Sequence, residues 1–125
     1  MNKNIETPKA PKPIGPYSQA VCHGNLVWVS GCIALSPFSG DMIQNNISDE
    51  TQAVMENLKA IVEASGSSMG KILKTTIFLT DMSQFSAVNE IYGKFFVSAY
   101  PARETVQVSA LPKGANVEIS CMASL

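Results

Sequence analysis

The run Ile72-Leu73-Lys74-Thr75-Thr76-Ile77-Phe78-Leu79-Thr80 is dense in β-branched and aromatic residues and reads as a long strand. Its position constrains the fold, because it lies between two segments of helical period. Upstream, Ser48 is an N-cap candidate followed by Asp49 and Glu50. Val54, Leu58, Ile61 and Val62 then recur on one face, and Gly66 is placed to cap the C-terminus. Downstream, Asp81 or Ser83 caps a second helix, with Phe85, Val88, Tyr92, Phe95 and Phe96 along its inner face. Each helix is apolar on one side, so both read as packing on a sheet that contains this strand.

The remaining strands fall around that centre. Residues 17–22 and 26–30 form a pair across the turn His23-Gly24-Asn25. Residues 103–109 and 116–122 form the last two, joined by Leu111-Pro112-Lys113-Gly114-Ala115. The order is β-β-α-β-α-β-β, an α+β fold with a mixed sheet and two helices on one face. Residues 1–16 carry Pro8, Pro11, Pro13 and Pro16 and are expected to be an extended arm of a single domain spanning residues 1–125. Gly31, beside Ser30, suggests a bulge or a place where something approaches the backbone.

Hydrophobic residues make up 46% of the chain and charged residues 15%, against about 25% charged in typical domains. So little charge covers a small surface poorly, and part of the apolar surface is expected to be buried between copies of the chain. The net charge is −1 and the lysines near the N-terminus, Lys3, Lys9 and Lys12, are scattered among prolines. Phosphate-neutralising nucleic-acid binding is poorly supported. No apolar run approaches the roughly 18 residues of a membrane span, and Met1-Asn2-Lys3-Asn4-Ile5-Glu6 lacks the apolar stretch of a secretory signal. A cytoplasmic protein with Cys22, Cys32 and Cys121 as free, core-filling thiols is expected. The one histidine, His23, neighbours Cys22 on a strand and so points to the other face. It makes neither a thiolate–imidazole pair nor a zinc site.

Arg103, at the head of Arg103-Glu104-Thr105-Val106-Gln107-Val108, is the candidate functional side chain. A guanidinium is a permanent cation whose planar fork matches carboxylates and phosphates. In a weakly charged strand it calls for an anion: Glu104, Glu118, an acid of a neighbouring subunit, or a ligand. Glu118 alternates with Val117 and Ile119 and is expected to be solvated or at an interface, with Ser120 on the same face.

Several segments, taken in order, resemble the RidA/YjgF family, the reactive intermediate deaminases. They are Ile14-Gly15-Pro16-Tyr17-Ser18-Gln19, Val29-Ser30-Gly31, Lys74-Thr75-Thr76-Ile77-Phe78-Leu79, Val88-Asn89-Glu90-Ile91-Tyr92, Pro101-Ala102-Arg103 and Leu111-Pro112-Lys113-Gly114-Ala115-Asn116-Val117-Glu118-Ile119. The resemblance implies a chorismate-mutase-like α+β fold and a homotrimer with clefts between subunits. It implies hydrolysis of 2-aminoacrylate- and 2-iminobutyrate-type enamines and imines to 2-keto acids and ammonia, with no cofactor and no metal. By the same resemblance Arg103 and the Gly31 amide hold the substrate carboxylate, Tyr17 walls the cleft, and Asn89 and Tyr92 lie near it. Thr105 stands where a cysteine is usual, and its carbonyl, with Ser120, would place the attacking water. Ser120 stands where deaminase-type members usually carry glutamate. Two other roles are weighed against deamination. One is non-catalytic binding of small 2-keto acids in the same cleft. The other is a protein-interaction, chaperone-like or translation-inhibiting ribonuclease role.

Overall fold

The computed structural model describes residues 2–125. Six strands form one sheet: β1 (Lys3–Ile5), β2 (Ala20–His23), β3 (Leu26–Cys32), β4 (Ile72–Leu79), β5 (Ala102–Gln107) and β6 (Val117–Ser124). Helix α1 (Ile47–Ala64) joins β3 to β4, and α2 (Phe85–Gly93) joins β4 to β5. The strand order is β1-β2-β3-β6-β4-β5. Every pairing is antiparallel except β4–β5, which is parallel because α2 provides the crossover. The α+β mixed sheet expected from the sequence is what forms.

β6 sorts the two faces. Val117, Ile119, Cys121 and Ala123 are buried, and Glu118, Ser120, Met122 and Ser124 between them are partly exposed. The buried set meets Val27 and Val29 of β3, Ile77 and Leu79 of β4, and Val54, Leu58, Ile61 and Val62 of α1. Val88 and Tyr92 of α2 complete this layer. On the opposite face Trp28 and Val106 are each about two-fifths exposed, so the sheet has one covered and one open side.

Three local features differ from the sequence reading. The arm is not wholly irregular: Lys3–Ile5 pairs with β2, Ile5 opposite Ala20. Residue 17 is not in β2. The Tyr17 amide donates to the Gly15 carbonyl at 2.9 Å, and that turn holds the chain out of the sheet until Ala20. The α1 cap is Asn46 rather than Ser48. Its side chain accepts from the Asp49 amide at 2.8 Å, satisfying a first-turn donor. At the other end Gly66, at φ +89°, follows the Ser65 cap. Its amide donates to Glu63, and the Ser67 amide reaches back to the Val62 carbonyl at 3.1 Å, the pairing of a Schellman motif.

Glu50 ties α1 to the start of β6. Only 1% exposed, its carboxylate accepts from the Asn116 amide at 2.7 Å and the Asn116 side chain at 2.8 Å. Truncation would strand a backbone donor just before β6. Glu50→Ala is therefore expected to lower unfolding free energy by about 2–4 kcal/mol in urea titration, several times the effect of Glu56→Ala on the exposed face of α1.

Candidate active site

Arg103 begins the inward pleat of β5, in register with buried Thr75 of β4. Its Nη1 donates to Asn89 Oδ1 at 2.8 Å. The guanidinium carbon lies 5.1 Å from the centre of the Tyr92 ring and 5.6 Å from that of Phe85, within cation–π range. Tyr92 is itself fixed by a 2.7 Å hydrogen bond between its phenol and the Thr75 hydroxyl. Burial raises the Tyr92 pKa, and the Thr75 bond and the Arg103 charge partly offset it. α2 thus supplies three side chains that aim one cation. The aromatics read from the sequence as core do pack there, although Phe95 and Phe96 follow the end of α2 rather than lie on its face, and Phe85 and Tyr92 also cradle Arg103.

No carboxylate neutralises Arg103 among the described residues. The one ion pair among the described residues joins Lys74 to Glu104 at 3.1 Å, and Glu104 also accepts from Thr76 at 2.7 Å. Glu104 occupies the outward pleat, so the neighbour in sequence is the wrong partner in space. Asn89, Tyr92, Tyr100, Pro101 and Arg103 line a depression open to solvent.

A second cluster lies across the sheet. β3 carries an irregularity at Ser30–Gly31, because Val29 pairs with Cys121 while Cys32 pairs with Ile119. A Cβ on Gly31 would stand 2.5 Å from Glu118 Oε2 and 2.7 Å from its Cδ. A side chain at residue 31 would displace the Glu118 carboxylate, which lies against the bare backbone. Desolvation holds the Glu118 pKa above its ordinary value. Tyr17, 47% exposed, accepts at its phenol oxygen from the Ile14 amide at 3.2 Å. Ile14, Tyr17, Ser30, Gly31 and Ile33 line one cavity.

The residues inferred from the sequence therefore separate. Arg103, Asn89 and Thr105 lie on the helix side of the edge strand. Glu118 and Ser120 face the open side of β6, with Gly31 beside Glu118 and Tyr17 by the Gly31 cavity. From β5 to β3 there are three strand spacings, about 14 Å. Within one chain Arg103 and Gly31 do not face a common small ligand. Ser120 sits opposite Thr76 on the Glu118 pleat. Glu118 is the functional candidate that the sequence alone assigns to solvent or an interface rather than to the chemistry. Its signal was the Gly31 bulge, which only cross-strand register connects to it.

The thiols are not nucleophiles in this setting. Cys22, Cys32 and Cys121 are all buried. Burial pushes the Cys121 thiol up to about 12 and the Cys32 thiol higher still. Among the described residues no cluster of three His, Cys, Asp or Glu side chains could hold a metal, and no helix is long and apolar enough to cross a membrane.

Two measurements follow from this geometry. Because the folded Glu118 pKa is raised above an ordinary value near 4.5, the folded state holds that proton more tightly than the unfolded chain. Its contribution to stability is fully present below that ordinary value and is lost as pH rises through the raised one. Glu118→Gln is expected to remove this fall from the pH profile of the urea midpoint. Thr105 Oγ1 is buried and without a hydrogen-bond partner among the described residues. Thr105→Val, which keeps the shape and removes the orphaned hydroxyl, is expected to raise unfolding free energy by about 1 kcal/mol.

A family model described as Endoribonuclease L-PSP matches residues 7–125. A 2-iminobutanoate/2-iminopropanoate deaminase of Dermatophagoides farinae is 49% identical over 92% of this chain and 90% of that protein. The Homo sapiens protein of the same name is 42% identical over 95% of this chain and 87% of its own. The crystal structure of Escherichia coli TdcF with bound serine superposes with a TM-score of 0.95 at 42% identity, covering 98% of each chain. A match over almost the whole length, in sequence and in fold, settles descent: the chain belongs to the Endoribonuclease L-PSP family, that of the YjgF and RidA proteins.

Proposed function

We propose that the protein hydrolyses 2-imino acids and their enamine tautomers to 2-keto acids and ammonia. The observation that carries the reading is Arg103, a cation held by Asn89 and two aromatic rings with no carboxylate upon it among the described residues. Such a fork suits the carboxylate of a 2-imino acid, and the bond it makes there is charge-assisted and bidentate. The relatives named as iminobutanoate/iminopropanoate deaminases favour this substrate class.

The chemistry needs a proton donor for the imine nitrogen, a water directed at the carbon, and an oriented carboxylate. Glu118, with its raised pKa, suits the proton-transfer role. It gives a proton to the imine nitrogen and takes one from the water that adds to the C=N carbon; it then gives that proton to the amino group and takes the hydroxyl proton as ammonia leaves. One water is consumed, and one keto acid and one ammonia form. The Gly31 amide adds a second donor to the carboxylate, and Tyr17 closes one wall. The Thr105 carbonyl and Ser120 are the proposed water-positioning groups. The unpaired hydroxyl of Thr105 has no part in this.

A 2-imino acid places its carboxylate and imine carbon one bond apart, far less than the breadth of sheet between Arg103 and Gly31. The reading therefore requires Arg103 of one copy to meet Gly31 and Glu118 of another. The homotrimer implied by the family resemblance, its open sheet faces turned inward, supplies this. A non-catalytic reading has one observation in its favour, the serine bound to TdcF: the same cleft would bind small amino or keto acids without turnover.

The decisive experiment measures 2-iminobutyrate hydrolysis, the imine generated in situ by a dehydratase, with semicarbazide in competition. Arg103→Ala and Glu118→Gln are each expected to lose at least about thirtyfold, the cost of removing a charged partner or proton donor. Co-refolded one to one, the two variants should regain roughly a quarter of wild-type activity, because one cleft in four then draws both intact residues from different chains. No recovery would exclude a shared cleft, and an inactive wild type that binds 2-ketobutyrate would leave the binding reading.

A further inference from the structure

The segment Thr7–Pro11 has no regular structure, and its prolines Pro8 and Pro11 bring no amide donors. Four of its backbone polar groups are nevertheless met by one buried side chain. Gln19 is 4% exposed. Its Oε1 accepts from the Thr7 amide at 2.7 Å. Its Nε2 lies 3.1 Å from the Thr7 carbonyl, 3.4 Å from that of Ala10 and 2.8 Å from that of Pro11, its two hydrogens shared among the three. Gln19 thus bonds the arm at both ends of a five-residue stretch from a single position at the mouth of β2.

What the arm does next gives the clamp its meaning. It runs directly into Ile14 and Tyr17, which with Pro11 wall the cavity beside Gly31. The Tyr17 phenol is placed by the Ile14 amide, and Ile14 continues the arm that Gln19 holds. The other side of the mouth is pinned to β3. The Ser30 amide donates to the Gln19 carbonyl at 3.0 Å, and the Ser30 hydroxyl to the Ser18 carbonyl at 2.6 Å. Gln19 therefore stands between the Gly31 bulge and the arm, with its backbone on one and its side chain on the other.

We propose that Gln19 is a positioning residue for the ligand cleft: it fixes the proline arm as a rigid wall and through it sets Tyr17 opposite Gly31. It touches no reacting atom. The inference rests on the reading of Tyr17 and Gly31 as cleft residues given above.

The test compares Gln19→Met, which keeps the length and loses all the hydrogen bonds, with wild type. Two readouts are used: 2-ketobutyrate affinity by calorimetry, and amide hydrogen exchange. Affinity is expected to fall about tenfold or more. The Ile14 amide should lose protection while the Val27 and Val29 amides of β3 keep theirs, which separates release of the arm from global unfolding. Tyr17→Phe should weaken binding in wild type and have no further effect in the Gln19→Met background. Gln19→Glu provides a second, better-folding variant. Buried among carbonyls its carboxyl stays protonated to higher pH, still accepts from Thr7 and donates once. It should bind 2-ketobutyrate near wild-type strength in acid and lose affinity on ionisation, a pH dependence beyond that of wild type. Unchanged affinity in Gln19→Met, or a loss independent of Tyr17, overturns the role. A wild type that neither binds 2-ketobutyrate nor hydrolyses the imine overturns instead the cleft reading on which the role rests.

Discussion

The constraint on which the structure depends is the strict alternation of β6, the strand between β3 and β4. Its inward residues are apolar and locked beneath α1, so its register cannot slip by one without exposing the whole set. The same alternation commits Glu118 to the outward face. There the β3 bulge brings Gly31 against it. Core packing and presentation of the carboxyl are thus one decision made by one strand. Glu50 reinforces it by holding Asn116, immediately before the strand begins.

The parallel β4–β5 pair places Arg103 by an independent route. α2 must cross over the sheet to make that pair parallel, and in doing so lays Phe85, Asn89 and Tyr92 beside the first turns of β5. Arg103 is therefore oriented by the connection that precedes its strand rather than by strand neighbours. The two devices work on opposite faces, and this is why Arg103 and Glu118 do not face each other within one chain.

Much of this was legible in the sequence where the signal is local. The alternation of 117–123, the apolar stripe of α1 and the Gly66 stop are patterns within a few residues, and each formed in place. What was missed depends on partners distant in sequence. Lys3–Ile5 has little strand character and becomes β1 only because β2 offers an edge. Ser48 and Asn46 are both competent caps, and the hydrogen bond to Asp49 decides between them. Glu104 looked as available to Arg103 as any acid, yet the period of a strand turns it to Lys74 and Thr76. Glu118 reads as a solvated or interface residue because nothing in its own segment mentions Gly31.

The stacking of Arg103 between Phe85 and Tyr92 has a consequence for recognition. A free arginine samples many rotamers, and ordering it costs on the order of 2 kcal/mol of rotamer entropy. Here the rings and Asn89 impose that order on the folded chain itself, and the aromatic faces replace part of the water around a weakly hydrated cation. A carboxylate that bound there would meet a fork whose rotors are already stilled by Asn89 and the rings. It would thus gain nearly the full strength of the contact, a form of affinity written into the scaffold rather than into the ligand.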